Sequence, residues 1–178
     1  MVDRFEASVP FLGFAARSGT GKTTLLKKLI PALRSNGLRI GLVKHAHHNF
    51  DVDTPGKDSY ELRKAGSTQV LVASSVRWVL IDERDQPEEP TLQDLLDRMV
   101  QRELDLILVE GFKHEAFPKI ELFRPALGQP PLFPRDRNII AVATDGTLPE
   151  TTALPVLDIN APDQIAEYIL RWIRSCQD

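Results

Sequence analysis

The stretch FAARSGTGKTTLLKKLI, residues 14–30, reaches Gly21, Lys22 and Thr23 at the close of a G-x-x-x-x-G-K-[ST] phosphate-binding loop, with Ala16 standing where the first glycine belongs. A polyphosphate carries several negative charges, and meeting them takes donors packed closer than side chains allow. Consecutive backbone N–H groups from Ser18 through Thr20 to Thr23 can curl round such an anion, and Gly19 and Gly21 let the backbone come that near. Lys22 reaches the outer phosphates as a point charge, and the Thr23 hydroxyl suits Mg²⁺. A helical pattern follows (Leu25, Leu26, Leu29, Leu33), so an N-terminal dipole adds to the attraction. Ala16 fits without strain if its φ is negative and is penalised if φ is positive. Arg17, inside the loop, can partly serve as the cation that offsets charge in phosphoryl transfer.

Such a loop also needs an acid on a neighbouring strand end. LDLILVEGFKH offers Asp105 and Glu110, about 16 Å apart along an extended strand, so they lie at opposite edges of a sheet and cannot share one metal. Glu110, followed by Gly111, is assigned to the phosphate side as the metal-side or water-positioning acid, and Asp105 to the start of the strand. In VKHAHHNFDVDTPGKD, Lys44 and His45 end a strand, and His47, His48, Asp51 and Asp53 occupy the loop after it. Three readings stay open for this segment. It can follow nucleotide state, with Asp51 or Asp53 reaching Mg²⁺ and Lys44 or a histidine meeting an anion. It can hold nickel or zinc, or it can be a solvated polar loop.

AVATD ends another strand with Thr144 and Asp145. A carboxylate there can accept from the N1–H and exocyclic amine of guanine, an arrangement adenine does not offer; the alternative is a turn-initiating aspartate before Gly146. The Asn-Lys-x-Asp motif of many GTPases is absent. Lys113 and His114, with Arg63 and Lys64, either grip a second anion or are merely solvated.

The elements that must position these residues follow from pattern. A helix is expected from about Lys22 to Ser35, with Pro31 inside it and Asn36-Gly37 as its stop. LRIGLVKH, LDLILVEG, FPKIELF, RNIIAVATD and LPVLDIN read as strands, and the near-continuous apolar centre of LDLILVEG suits a parallel strand covered on both faces. TQVLVAS and RWVLIDE read as a hairpin. DSYELRKAG reads as a short helix with an Asp58–Glu61 capping box, and a helix near Thr91 has Asp94 as a second box. The terminal helix, from about Ala161, carries Ile165, Ile169, Trp172, Ile173 and Cys176 on one stripe, which puts the cysteine at the core or its edge. The proline-rich RPALGQPPLFPRD reads as an exposed excursion. This alternation gives an α/β fold of P-loop NTPase type: a mostly parallel, doubly wound sheet with flanking helices and a hairpin extension.

With 178 residues the chain suits one ordinary domain, and residues 1–178 are read as a single nucleotide-binding domain. Net charge is −3 with the two signs interspersed, which argues against nucleic acid as a partner. Cys176, the single cysteine, permits no internal disulfide, and a reducing cytoplasm fits. No apolar run approaches the roughly 20 residues of a membrane-spanning helix, and the short run VPFLGFAA continues straight into the phosphate loop, so no membrane association and no signal sequence are expected.

Taken together, FAARSGTGKTTLLKKLIPAL, KHAHHNFDVDTPGKDSYELRKAG, LDLILVEGFKHE and VLDIN resemble the MobB family, molybdopterin-guanine dinucleotide biosynthesis protein B, over nearly the whole chain. The resemblance implies a GTP-binding P-loop protein with weak GTPase activity, commonly a homodimer, whose partner is the guanylyltransferase that joins GMP to molybdopterin. By match, Ser18 to Thr24 would bind phosphates, Thr23 and Glu110 would serve Mg²⁺, and the histidine-aspartate loop with Lys113 would belong to the nucleotide or pterin-cofactor surface. Two other classes stay open: a small-molecule kinase with its acceptor near His45 and Lys113, disfavoured by the lack of an arginine-rich lid pattern, and a metal-delivery GTPase using His45, His47 and His48.

Overall fold

The computed structural model describes residues 5–46, 50–86 and 88–176. They fall into two compact units: residues 1–45 with 91–178, and residues 46–90.

The first unit is built on a six-stranded sheet of β1 (Phe11–Ala16), β2 (Ile40–Lys44), β5 (Leu106–Glu110), β6 (Lys119–Phe123), β7 (Ile139–Thr144) and β8 (Val156–Asp158), in the order β2-β5-β1-β6-β7-β8. Every pairing in it is parallel. Strand alternation divides the apolar side chains between two faces. Leu12, Phe14, Leu106, Leu108, Ile120 and Leu122 meet α1 (Lys22–Ser35) and α4 (Pro162–Ser175) on one side. Ile107 and Val109 turn the other way, onto Leu92 and Leu96 of α3 (Leu92–Asp97) and onto Phe117. Leu29 and Leu33 of α1 and Ile165 and Ile169 of α4 are fully buried, each leucine or isoleucine contributing about 1.5–3 kcal/mol by leaving water. The P-loop-type α/β sheet expected from the sequence is therefore present, with α1 at its expected bounds and continuous through Pro31.

Three local expectations are corrected. Helix α2 (Asp58–Lys64) is capped by Lys57 without a side-chain bond, because Asp58 is already the first helical residue and cannot act as its cap. The Thr91–Asp94 box does form, with Asp94 N–H donating to the Thr91 hydroxyl and Thr91 N–H to the Asp94 carboxylate. Cys176 lies beyond the last buried turn of α4 and is exposed. The proline-rich segment is exposed at residues 126–130 and again at Pro134 and Arg135, but Pro131 between them is buried. Farther on, Leu132 and Phe133 N–H groups donate, at 2.7 Å each, to the buried Glu121 carboxylate, whose pKa burial nonetheless raises.

In the second unit β3 (Gln69–Ala73) and β4 (Trp78–Asp82) form the expected antiparallel hairpin. Leu71, Val72, Trp78, Val79 and Leu80 are all exposed on it. Arg63 of α2 is buried instead of solvated: it donates to both Asp51 carboxylate oxygens at 2.9 and 2.7 Å and to Glu83, and stands 3.9 Å from Asp53.

Candidate functional site

Because the six strands run parallel, their carboxyl ends share one edge. The register places Lys44 opposite Glu110 and Phe14 opposite Glu110, with Ala16 opposite Leu122 and Phe123 opposite Thr144. The phosphate loop leaves β1 at this edge. Gly19 and Gly21 have φ of 80° and 92°, values that penalise any residue with a β-carbon, and Gly21 is the N-cap of α1. Among the described residues Phe112 is the only non-glycine with positive φ, so Ala16 lies outside that region and its methyl group is unstrained. Thr20 is buried, and both its N–H and its hydroxyl donate to the Arg17 carbonyl, at 3.3 and 2.7 Å. Arg17, Ser18, Thr23 and Thr24 are exposed, as a loop open to a ligand requires.

Charge converges beside the loop. The Lys22 ammonium lies 3.7 Å from one Glu110 oxygen and the Lys44 ammonium 3.7 Å from the other, so one carboxylate is held between two cations. That carboxylate is 13% exposed, and the partial desolvation strengthens its attraction for Lys22, Lys44 and any further cation. Its main chain is fixed too: His45 N–H donates to the Glu110 carbonyl at 2.9 Å. The His45 ring stacks on Phe112 with centroids 4.8 Å apart, and a β-carbon at Gly111 would lie 2.6 Å from that of His45, so only glycine allows the two strand ends to close. Phe112 itself has φ 51°, a strained backbone of the sort that gathers at functional sites. Lys113 and His114 follow as exposed residues on this edge.

On the far side of the loop, Thr144 is buried and its hydroxyl accepts from Gly146 N–H at 3.2 Å, which shapes the turn that presents Asp145. Asp145 is paired with Arg124, the residue after β6, and Arg124 Nε also donates to the Thr20 carbonyl at 2.9 Å. Sequence reasoning missed Arg124. Its only local signal is a basic residue just past the carboxyl end of a parallel strand.

The structure thus brings Arg17, Ser18, Gly19, Thr20, Gly21, Lys22, Thr23, Thr24, Lys44, His45, Glu110, Lys113, Thr144 and Asp145 to one edge of the first unit. Asp105 is at the opposite edge, as expected, where Arg39 donates to its two oxygens at 3.0 and 2.8 Å. Asp53 belongs to the second unit, where it accepts from Thr54 N–H at 3.0 Å and from the Ser59 hydroxyl at 2.9 Å. His47 and His48 lie outside the described residues, and among the described residues no group of three histidine, cysteine or acidic side chains is placed to hold a metal. Likewise, no helix among them is long and apolar enough to cross a membrane.

Comparison with known proteins bears on the family and the fold. Residues 11–145 match the family model for molybdopterin guanine dinucleotide synthesis protein B, MobB. The chain is 55% identical over 170 residues to the molybdopterin-guanine dinucleotide biosynthesis adapter protein of Escherichia coli, covering 95% of this chain and 96% of that protein. The Haemophilus influenzae adapter protein is 45% identical over 166 residues, covering 93% and 90%. A crystal structure of molybdopterin-guanine biosynthesis protein B superposes with a TM-score of 0.72 at 27% identity, covering 92% of this chain and 99% of that one. A MobB homologue from Bacillus stearothermophilus superposes at 0.68 and 26%, covering 93% and 98%.

Proposed function

We propose, from the premise that this chain belongs to the MobB family, that it is an adapter in molybdopterin-guanine dinucleotide biosynthesis that binds GTP with Mg²⁺ and hydrolyses it slowly in support of a guanylyltransferase. The adapter role rests on the two relatives that carry that description along nearly their whole length. GTP binding rests on one observation above the others: the glycine-conformed loop that opens α1 sets Lys22 3.7 Å from Glu110 at the carboxyl edge of a parallel sheet.

Loop N–H groups of Ser18, Gly19 and Gly21 to Thr23, with Thr24 in the first turn of α1, would hold the phosphates, Thr20 shaping the loop through its bonds to the Arg17 carbonyl, and Lys22 would leave Glu110 for the outer phosphate oxygens. Thr23 and Glu110 would hold Mg²⁺, which offsets charge on the phosphates when bound. Both suit it, one as an exposed hydroxyl and one as a carboxylate with hard oxygen donors. Asp53 is already engaged by Thr54, Ser59 and Arg63, and we give it no part in the cation site. Asp145 would accept from the guanine edge, with Thr144 shaping its turn. Slow turnover would follow from an exposed Arg17 that is not held on the transferring phosphoryl group until a partner positions it or supplies another cation. Lys44, His45 and Lys113 would line the surface offered to the partner or to molybdopterin.

A homodimer is the assembly we favour, because apolar side chains on both faces of the β3–β4 hairpin remain exposed in the single chain. The test of the adapter role is sedimentation of the chain with the guanylyltransferase, with and without GTP, beside GTP turnover of the mixture. Co-sedimentation, or turnover raised by the transferase, is expected. No complex and an unchanged rate would refute the role.

A further inference from the structure

The geometry points to Arg124 as a positioning residue that couples the phosphate loop to the base-reading acid and thereby sets nucleotide specificity; this rests on the GTP reading given above. One planar guanidinium makes both contacts. Nε–H donates to the Thr20 carbonyl at 2.9 Å, and a terminal N–H donates to Asp145 Oδ2. Neither contact is a loose surface pairing, since the Arg124 and Asp145 side chains are 30% and 28% exposed and the Thr20 side chain is buried.

The consequence for the loop follows from peptide geometry. In a trans peptide the C=O and the next N–H point in opposite directions. Holding the Thr20 carbonyl therefore fixes the direction of the Gly21 N–H, the donor next to Lys22. Thr20 is clamped from its other side as well, through its N–H and hydroxyl on the Arg17 carbonyl. At the base end, Arg124 holds the Asp145 carboxylate through Oδ2, so that Oδ1 would be the oxygen offered to a base donor. The two strand ends are also in tight contact: a β-carbon at Gly146 would lie 3.1 Å from Pro125 Cγ, so the turn carrying Asp145 sits directly on the residue after Arg124. A guanidinium fork has donors at fixed spacing, whereas an ammonium on a flexible stem does not. Arginine is thus the side chain that can hold the Thr20 carbonyl and the Asp145 carboxylate in one arrangement. The missing Asn-Lys-x-Asp motif is consistent with this: the basic member of the base site would come from just past the end of the neighbouring strand β6.

The test is calorimetric titration of the full chain with GTP and with ATP in Mg²⁺, for the wild type, Arg124→Ala, Arg124→Lys, Asp145→Ala and the Arg124→Ala/Asp145→Ala pair. Loss of two charge-assisted contacts is expected to weaken GTP binding in Arg124→Ala by about tenfold or more, and ATP binding by less, so that the GTP-to-ATP preference shrinks. Arg124→Lys should recover part of the affinity and little of the preference. In the double variant the preference should fall no further than in Asp145→Ala alone, the non-additivity expected of groups acting together. Equal losses for both nucleotides in Arg124→Ala would reduce the residue to a loop support and overturn the inference, as would tighter GTP binding, which would make it a competitor for Asp145. A chain that prefers GTP through Asp145 yet is indifferent to Arg124 sinks this inference alone. A wild type that binds neither nucleotide, or an Asp145→Ala variant with its preference intact, sinks the nucleotide reading and this inference with it.

Discussion

The two units of this chain are held together in different proportions by apolar burial and by ion pairs. In the first, strands such as Leu106–Glu110 are apolar on both faces; Lys119 and Glu121 of β6 are the buried charges, and the charged groups of the candidate site sit at the edge, outside the core. In the second, the most buried charged side chain is Arg63, ringed by Asp51, Asp53 and Glu83, while leucine, valine and tryptophan of the hairpin face water. The lesson is that burial fixes the position of the first unit's edge to the precision a ligand site needs. The second unit orders its backbone with an ion cluster and leaves the apolar side chains of its hairpin exposed.

Leucine truncations break this comparison most sharply. Leu29→Ala, at a fully buried position on α1, is expected to cost about 3 kcal/mol, measured by denaturant unfolding. Leu71→Ala, with Leu71 63% exposed, should change the stability of the dilute chain by no more than about 0.5 kcal/mol and show its effect in self-association by sedimentation. A large loss of monomer stability in the second variant would mean that the hairpin face is core.

Arg63→Ala comes next. Fully buried pairs lose about 3–5 kcal/mol when one partner goes, but Asp51 and Glu83 are 42% and 49% exposed, so a loss of about 2 kcal/mol is expected, confined to the second unit. Hydrogen exchange should speed in residues 50–86 and leave the strands of the first unit protected; uniform acceleration would contradict the division.

The helix starts supply a smaller contrast. Thr91→Ala removes a complete capping box and should cost about 1 kcal/mol, whereas Lys57→Ser supplies a missing cap, in an extended conformation that accepts it, and should stabilise α2 by up to about 1 kcal/mol. Thermal unfolding checks both.

The smallest effect is in pH. Arg39 holds the Asp105 carboxyl at about 2, below its ordinary 3.8, first by side-chain hydrogen bonding. A carboxylate whose pKa is depressed by folding stabilises the fold above its unfolded value and loses that contribution as pH falls toward the folded one. The pair should therefore contribute fully above about pH 4 and lose its contribution as pH falls to about 2, and Arg39→Gln should flatten the acid limb of the stability curve in that window.

What could be read from the sequence was what depends on near neighbours. The phosphate loop was legible because its glycines, Lys22 and Thr23 are contiguous, and Glu110 because an apolar run ends on it. The Thr91 box was legible for the same reason. Arg124 was not, since its partners Thr20 and Asp145 meet it only when β1, β6 and β7 are side by side. Lys119 and Glu121 look like a solvated strand face, yet both are buried because Asp136 lies 3.0 Å from the Lys119 ammonium and Leu132 and Phe133 donate to the glutamate. Cys176 fits the apolar stripe of α4 by spacing, but the helix ends at Ser175, past the last core contact at Ile173.

The edge holding Lys22 and Glu110 is the nucleotide site we propose. Calorimetric titration with GTP in Mg²⁺ of the wild-type chain and of Lys22→Ala tests it most directly. We predict one-site binding in the wild type that weakens at least about tenfold in the variant, the loss expected for a charge-assisted contact to phosphate. Equal affinity in the two proteins, or no heat in either, would contradict it.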